Sequence, residues 1–209
     1  MKVTLHEVSK TIKGITVLDR ISLELEGGNV YGVQGKNGCG KTMLMRTICG
    51  LIRPTSGSIF LNDEILGKDI SFPRSVGVLI ENPSFLNGYT GFQNLKMLSD
   101  LRDHLPSEKI CDTLSRVGLD PADKRVYRKY SLGMKQKLGI AAAVMGDPEL
   151  VILDEPINAI DETGVQNVRD ILHDLKKKGS VIIIACHDRE ELEQLSDQIF
   201  KIEAGRIIA

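Results

Sequence analysis

The chain has 209 residues, 42% of them hydrophobic, and 27 Lys and Arg against 28 Asp and Glu give a net charge of -1. This length predicts one domain whose core needs no disulfide staples, and the balanced charge argues against binding nucleic acid through bulk positive charge. No apolar run approaches the roughly 18 residues of a membrane span, and the N-terminus lacks the apolar stretch of a signal peptide.

The N-terminal part of the chain has the alternation of strands. Residues 21–25 alternate apolar and polar side chains, which predicts a half-buried strand after an earlier one near residues 3–8. A short strand over residues 30–34 runs into a glycine-rich loop, and residues 42–49 predict a helix that stops at Gly50. Further strands are predicted over residues 57–61 and 75–80.

The remainder changes pattern twice. Leucine and isoleucine recur at helical spacing over residues 91–117, so we expect residues 84–134 to form an inserted helical subdomain. Apolar strands then alternate with helices, which implies a parallel sheet covered on both faces. Residues 1–83 and 135–209 are therefore expected to form one α/β core with an antiparallel β region. The predicted strands are 150–153 and 181–185, the helices 135–145, 164–178 and 190–195, and the terminal hairpin 199–208.

A phosphate-binding loop is predicted at residues 35–42. The sequence Gly-Lys-Asn-Gly-Cys-Gly-Lys-Thr fits G-x-x-x-x-G-K-[ST], with a predicted strand before it and a helix after it. The glycines let successive N–H groups turn inward as an anion nest, and the helix N-terminus adds partial positive charge. The alternative is an ordinary glycine-rich turn. The expected nucleotide contacts are Gly35, Asn37, Gly38, Cys39, Gly40, Lys41 and Thr42, of which Lys41 reaches the β- and γ-phosphates and Thr42 binds Mg²⁺.

Acidic side chains follow the apolar strand at residues 150–153. Asp154 and Glu155 would lie at the carboxyl edge of a parallel sheet, where α/β proteins bind ligands. We expect Asp154 to bind Mg²⁺, which prefers oxygen ligands, and Glu155 to act as general base toward a water molecule. His187 follows another apolar strand and would reach the same edge. Solvated acids and a surface histidine are the alternative.

These motifs, in this order, resemble the ATP-binding cassette (ABC) ATPases, the nucleotide-binding subunits of transporters. Residues 35–42 match the Walker A loop of that family, and residues 150–155 match Walker B with its catalytic glutamate. Residues 158–161 resemble the D-loop, and His187 matches the switch histidine. The resemblance implies a P-loop NTPase core with an antiparallel β subdomain and a helical subdomain. It also implies ATP hydrolysis with ATP and Mg²⁺, and catalytic roles for Lys41, Glu155 and His187.

The family signature, usually L-S-G-G-Q, is Tyr-Ser-Leu-Gly-Met at residues 130–134. The resemblance implies that Ser131 and Gly133 contact the γ-phosphate of ATP held by an opposite subunit, in a head-to-tail dimer. In isolation the same residues predict a helix start with Ser131 as N-cap. Leu132 stands where the family usually has glycine.

Two further positions depart from the family. Glu81 stands where a glutamine is usual, so we expect it to bind the metal directly or through water. Ile12 stands near the position of the aromatic residue that stacks on adenine, so apolar contact replaces π-stacking. Glu81 and the altered signature together resemble the exporters associated with bacitracin and lantibiotic resistance.

The expected function is therefore an ATP-hydrolysing subunit that powers a separate membrane permease and lies on the cytoplasmic face of the membrane. Its expected partners are that permease and a second ATPase subunit, identical or paired, and no nucleic acid. One alternative is a soluble ABC-type ATPase that acts on the ribosome or nucleic acid, against which the single cassette and the balanced charge argue. Another is a small-molecule kinase, against which the signature and His187 argue.

The four cysteines are Cys39, Cys49, Cys111 and Cys186. They are scattered without a C-x-x-C pair, which favours reduced thiols in an intracellular protein over a zinc site. Cys39 lies inside the predicted phosphate loop. Either bulky thiol reagents block ATP binding through Cys39, or this thiol is buried and does not react.

Overall fold

Two β-sheets form the framework of the molecule. The computed structural model describes residues 1–102 and 104–208, without the side chain of Arg102. The strands are β1 (Lys2–Ile12), β2 (Ile15–Glu26), β3 (Asn29–Gln34), β4 (Ser56–Leu61), β5 (Glu64–Ile65), β6 (Val76–Leu79), β7 (Leu150–Asp154), β8 (Val181–Cys186), β9 (Gln198–Glu203) and β10 (Arg206–Ile208). The helices are α1 (Lys41–Ile48), α2 (Gly91–Arg102), α3 (Ser107–Arg116), α4 (Leu132–Val144), α5 (Glu162–Lys177) and α6 (Arg189–Leu195), with a 3-10 turn at Tyr127–Lys129.

The smaller sheet is antiparallel and has the strand order β2-β1-β4-β5. Lys13 and Gly14 join β1 to β2, and both have positive φ. That conformation suits the tight two-residue turn of a twisted hairpin. In β2 the predicted alternation is confirmed, because Ile21 and Leu25 are buried and the polar residues between them are not.

The larger sheet has the order β10-β9-β3-β8-β7-β6, and its strands are parallel except for β10. Each residue of β7 and β8 is buried. Strands covered on both faces lose the polar half of the alternation, which explains the two apolar runs in the sequence. The predicted fold class, a mostly parallel sheet flanked by helices beside an antiparallel region, is confirmed.

Each face of the larger sheet packs into its own hydrophobic core. Leu150 and Ile152 of β7 belong to the core shared with the smaller sheet and α1. Val151 and Leu153 point to the opposite face and join the core formed with the other helices. Successive side chains of a strand point to opposite faces, so one short strand ties the two cores together.

The helical segment after β6 contains α2, α3 and the 3-10 turn, which agrees with the predicted helical spacing. The boundaries of a separate subdomain at residues 84–134 stay a prediction. The two-residue strand β5 was not predicted, because two residues are too few to show alternation. Helix α4 begins at Leu132 rather than at Lys135, since Ser131 caps it. No helix among the described residues is both long and apolar enough to cross a membrane.

Candidate functional site

The site lies where three adjacent parallel strands end. The order β3-β8-β7 brings the carboxyl ends of these strands to one edge of the sheet. The residues that directly follow them are Gly35, His187 and Glu155. Positions that are more than a hundred residues apart in sequence therefore become neighbours, and His187 enters between the phosphate loop and the acidic pair.

The loop at residues 35–42 has the conformation that a phosphate cradle requires. Gly38 and Gly40 have φ of 79° and 117°, and a Cβ on Gly40 would lie 2.9 Å from the Val17 carbonyl oxygen. Gly40 is also the N-cap of α1 and offers no side-chain hydrogen bond to the helix. The first N–H groups of α1 thus remain available for an anion, where the helix dipole favours it.

Lys41 is folded back into the loop. Its Nζ donates to the Gly35 carbonyl oxygen at 2.6 Å and lies 3.4 Å from that of Lys36. The residue is only 6% exposed. A buried ammonium group bonded to loop carbonyls is already positioned at the cradle, so a phosphate would meet a fixed positive charge.

Thr42 and Asp154 form the oxygen pair that was predicted to bind magnesium. The Thr42 hydroxyl donates to Asp154 Oδ2 at 2.9 Å. Adjacent ligands of octahedral Mg²⁺, each about 2.0–2.1 Å from the ion, lie about 2.9 Å apart, so this spacing fits the metal. Burial raises the pKa of the Asp154 carboxyl, and the Thr42 hydrogen bond partly offsets that effect. A divalent cation would stabilise the buried carboxylate further.

Glu155 and His187 are in direct contact. His187 Nδ1 lies 2.9 Å from Glu155 Oε2, and this hydrogen bond raises the pKa of His187. Glu155 has a φ of 50°, a left-handed conformation that costs a non-glycine residue roughly 1–2 kcal/mol. Strained backbone of this kind persists where its surroundings hold it in place. The carboxylate is thereby aimed at the sheet edge with an imidazole beside it.

Gln136 holds the backbone of this strained segment, and sequence reasoning did not single it out. Its Nε2 donates to the carbonyl oxygens of Glu155 and Pro156 at 2.9 and 3.2 Å. The residue is buried, with 8% of its surface exposed. The one sequence signal was its position on the helix that begins at the signature, five residues after Ser131. The sequence of that helix shows that an amide side chain is present, but it does not show which carbonyl oxygens the amide contacts.

The signature segment is the least enclosed part of the predicted site. Ser131 is exposed and caps α4, since its hydroxyl accepts from the Met134 N–H at 3.2 Å. A Cβ on Gly133 would lie 2.6 Å from the carbonyl oxygen of Ala159. Lys137 Nζ also lies 2.8 Å from Asp161 Oδ1. The signature helix therefore packs directly on residues 159–161.

A cavity of about 390 Å³ opens at the phosphate loop. It joins the loop to Asp154, Glu155 and the β2 residue Val17. Among the described residues, the lining includes none from the signature segment. The lining residues are Val17, Asn37, Gly38, Gly40, Lys41, Thr42, Met43, Asp154 and Glu155.

Comparison with known proteins identifies the family. The sequence profile described as ABC transporter matches residues 18–158, which is more than half of the chain. The chain belongs to the ABC transporter family. An uncharacterized ABC transporter ATP-binding protein, YybJ of Bacillus subtilis (strain 168), is 49% identical over 96% of this chain and 92% of its own length. Membership confirms the prediction of an ATP-binding ABC transporter subunit with ATPase activity.

Two relatives have names that state a transport role. The bacitracin transport ATP-binding protein BcrA of Enterococcus faecalis is 38% identical over 97% of this chain and 67% of its own length. The lantibiotic transport ATP-binding protein SrtF of Streptococcus pyogenes is 36% identical over 98% of this chain and 88% of its own length. The likeness to such proteins, drawn from the residues alone, is confirmed.

Solved structures show the same fold. A structure titled as the ATP binding subunit of an ABC transporter superposes with a TM-score of 0.91 at 23% identity, covering 100% of this chain and 89% of that one. The ATP-binding cassette MJ0796, described as a dimer bound to ADP and Pi, gives a TM-score of 0.89 at 20% identity, covering 99% and 97%.

The two departures outside the signature segment, Glu81 and Ile12, have distinct surroundings. Glu81 has a φ of 61° and its Oε1 accepts from Arg46 at 2.6 Å. Its side chain is 62% exposed, and the Arg46 contact engages one of its two carboxylate oxygens. Ile12 is 36% exposed at the end of β1, and Val17, not Ile12, lines the cavity. Cys39 is partly exposed, and a Cβ on Gly35 would lie 2.5 Å from its sulfur; the thiol-reagent prediction stays open.

Proposed function

We propose that this chain binds ATP with Mg²⁺ at residues 35–42, hydrolyses it with Glu155 as general base, and thereby drives a separate permease that exports its cargo. The proposal rests on two side-chain contacts at one edge of the larger sheet. Thr42 meets Asp154 at 2.9 Å, and Glu155 meets His187 at 2.9 Å. One pair suits a hard cation and the other suits proton transfer from water.

The reaction follows from these positions. Loop N–H groups and Lys41 hold the β- and γ-phosphates, and positioning with charge stabilisation is most of what phosphoryl transfer requires. Mg²⁺ would neutralise charge on the phosphates. Thr42 and Asp154 would hold the ion, and Glu81 would bind it directly or through a water molecule. Glu155 accepts a proton from the attacking water. His187 orients that carboxylate through the Nδ1 hydrogen bond.

Calorimetry tests the binding half of this proposal. Lys41→Ala should weaken ATP binding strongly, because it removes the buried ammonium group of the loop. Lys36→Ala is the matched control, since Lys36 lies in the same loop but is exposed. Equal affinities of the two variants for ATP would contradict the role of Lys41. Omitting Mg²⁺ should reduce wild-type affinity, and no change would contradict the Thr42–Asp154 metal site.

We further infer that two such subunits close on ATP, with Ser131 and Gly133 of one facing the nucleotide of the other. Ser131 is exposed, and the cavity at the loop lacks signature residues among the described part of the chain. A second subunit would supply what the cavity lacks. The partner is a second copy or a paired ATPase chain.

The permease would dock beside Glu81. Leu86 and Tyr89, just before α2, are 53% and 45% exposed. Their backbones are joined by a hydrogen bond of 3.2 Å, so both exposed side chains belong to one turn, and exposed apolar patches are typical of protein contacts. The names of the relatives BcrA and SrtF, which refer to bacitracin and lantibiotic transport, support an exporter. Such docking would place the chain on the cytoplasmic face of the membrane.

Affinity purification from native membranes tests the docking. We expect a polytopic membrane protein to co-purify with the tagged chain and to be lost with Leu86→Glu. Leu51→Glu is the control, because Leu51 is 59% exposed but follows α1, outside the segment between Glu81 and α2. Retention of the membrane protein by Leu86→Glu, or a fully active chain with no membrane protein attached, would contradict this part of the proposal.

A further inference from the structure

Three side chains at the catalytic edge form a donor set that magnesium chemistry does not use. Glu155, Cys186 and His187 each offer one ligand atom, and these atoms all lie within 4.8 Å of one another. Two of them, Glu155 Oε2 and His187 Nδ1, are already 2.9 Å apart. A carboxylate, a thiolate and an imidazole are ligands typical of zinc, whereas Mg²⁺ prefers oxygen atoms only.

The fold creates this cluster. Cys186 is the last residue of β8, between the phosphate-loop strand β3 and the strand β7 that ends before Glu155. Its sulfur is not a plain apolar filler, because it donates to Glu191 Oε2 at 3.3 Å. The thiol thus lies at the boundary between the core and the polar edge. His187 follows at once and is 59% exposed, so the cluster is open to solvent on the imidazole side.

We propose that Glu155, Cys186 and His187 bind a thiophilic divalent ion such as zinc, and that the bound ion arrests ATP hydrolysis. Zinc ligands lie about 2.0–2.3 Å from the ion, so a tetrahedral site places them about 3.5 Å apart. The 2.9 Å pair would open slightly, and ligand atoms as far apart as 4.8 Å would close by about 1 Å. The Cys186 S–H proton passes to water as the sulfur–metal bond forms. The Nδ1 proton that His187 shares with Glu155 leaves to solvent, so that the imidazole keeps one proton on Nε2 and binds the ion through Nδ1. The Glu155 carboxylate donates a further electron pair, no group changes oxidation state, and a water molecule fills the fourth position.

The inhibitory consequence rests on the proposed function, whereas the binding itself does not. A bound ion would engage the Glu155 carboxylate and His187 Nδ1, so the base would no longer accept a proton from water. Lys41, Thr42 and Asp154 take no part in the cluster. The ion should therefore stop hydrolysis while ATP binding through residues 35–42 continues.

Cobalt(II) tests the binding without any activity. The full chain, free of nucleotide, is titrated with Co²⁺, and we expect the near-ultraviolet charge-transfer band of a thiolate–cobalt bond at one ion per chain. Cys186→Ser should abolish the band. Cys49→Ser is the matched control, because Cys49 is also buried but lies at the end of α1, and it should keep the band. A band that persists in Cys186→Ser, or no band in the wild type, overturns the proposal.

A second variant covers the case in which Cys186→Ser fails to fold, which circular dichroism would show. His187→Gln removes an exposed ligand and leaves the thiol in place. It should retain the charge-transfer band but require at least about tenfold more Co²⁺ to develop it. An unchanged cobalt affinity would exclude His187 from the site and overturn the proposal.

Zinc inhibition tests the consequence. In saturating Mg²⁺–ATP, the zinc concentration that halves phosphate release, measured against each variant's own zinc-free rate, should rise at least about tenfold in Cys186→Ser. Cys49→Ser should respond like the wild type. Equal inhibition of both variants overturns the proposed arrest. If cobalt binds as expected but Glu155→Gln retains normal turnover, the proposed catalytic role fails and the metal site stands.

Discussion

The two halves of the predicted nucleotide site differ in how complete they are within one chain. At the sheet edge, Thr42 with Asp154 and Glu155 with His187 are already joined by hydrogen bonds of 2.9 Å. The signature segment, in contrast, presents Ser131 to solvent, and the Ser131 hydroxyl accepts from the Met134 N–H of its own helix. One half is assembled within the chain, whereas the side chain of Ser131 in the other half faces solvent.

This difference indicates which part of the site could regulate the reaction. Under the proposed function, the preassembled edge would supply chemistry as soon as ATP is positioned, whereas the exposed signature would supply its contacts only when another subunit approaches. The two halves are nevertheless connected inside the chain. Helix α4 begins at the signature and, through Gln136, holds the carbonyl oxygens of Glu155 and Pro156. A movement of the signature segment would therefore shift the backbone of Glu155, the proposed general base.

The largest effect is expected from removing the base at the assembled half. Glu155→Gln should lower ATP turnover about 10²–10⁴-fold, the usual contribution of general-base catalysis, while ATP affinity is kept. Phosphate release and calorimetry measure the two quantities. Glu149→Gln, an exposed acid just before β7, is the control and should have normal turnover. Normal turnover in Glu155→Gln would show that the edge is not the catalytic half.

The next effect tests the exposed half. Ser131→Asp keeps a good helix cap but places a negative charge toward the γ-phosphate, so turnover should fall about 10²-fold with thermal stability unchanged. Ser131→Ala should instead lose about 1 kcal/mol of stability, because the cap is removed. Phosphate release and thermal unfolding separate the two roles. Full activity of Ser131→Asp would leave the signature with a capping role alone.

A smaller effect tests the connection between the halves. Gln136→Met keeps the side-chain length but removes the amide donor from the carbonyls of Glu155 and Pro156, of which that of Glu155 still accepts from the Asn158 N–H at 3.3 Å. The loss should lower the free energy of unfolding by about 1–3 kcal/mol. We also expect a lower kcat with an unchanged KM for ATP, because the strained Glu155 backbone is no longer held. Gln166→Met on α5, where Gln166 is exposed, should change stability by less than about 0.5 kcal/mol. Denaturant unfolding and steady-state kinetics supply the measurements. Equal stability and equal kcat of the two variants would contradict a connection through Gln136.

The smallest effect concerns the pH dependence of the assembled edge. Glu155 raises the pKa of His187 above the ordinary value of 6.5. The ion pair therefore stabilises the folded chain fully below that value and is lost as pH rises through the raised pKa. With His187 59% exposed, the contribution should be below about 1 kcal/mol. Denaturant unfolding of the wild type and His187→Asn should differ most at acidic pH; a difference that grows with pH would contradict the pairing.

Several features could be predicted from local patterns alone. The alternation in β2, the apolar runs of β7 and β8, and the glycine spacing at residues 35–42 each depend on neighbours in sequence, so they predicted the elements and the order of the motifs. The family and the fold class followed from that order. The two-residue strand β5 was not predicted, because so short an element carries no periodicity. The apolar spacing predicted a helix from residue 135, whereas the capping pattern at Ser131 predicted the start at Leu132 that the structure has.

Tertiary structure decided which of these residues meet. The sequence determined that a phosphate loop, an acidic pair and a histidine each follow a buried strand. Strand order and register brought Cys186 beside Glu155. The packing of α4 brought the Gln136 amide into contact with the carbonyl oxygen of Glu155. Likewise, Glu81 was predicted as a metal ligand from its position, but its present partner is Arg46. Contacts of this kind form between residues that are far apart in the sequence, so they cannot be predicted from a local pattern of polar and apolar residues.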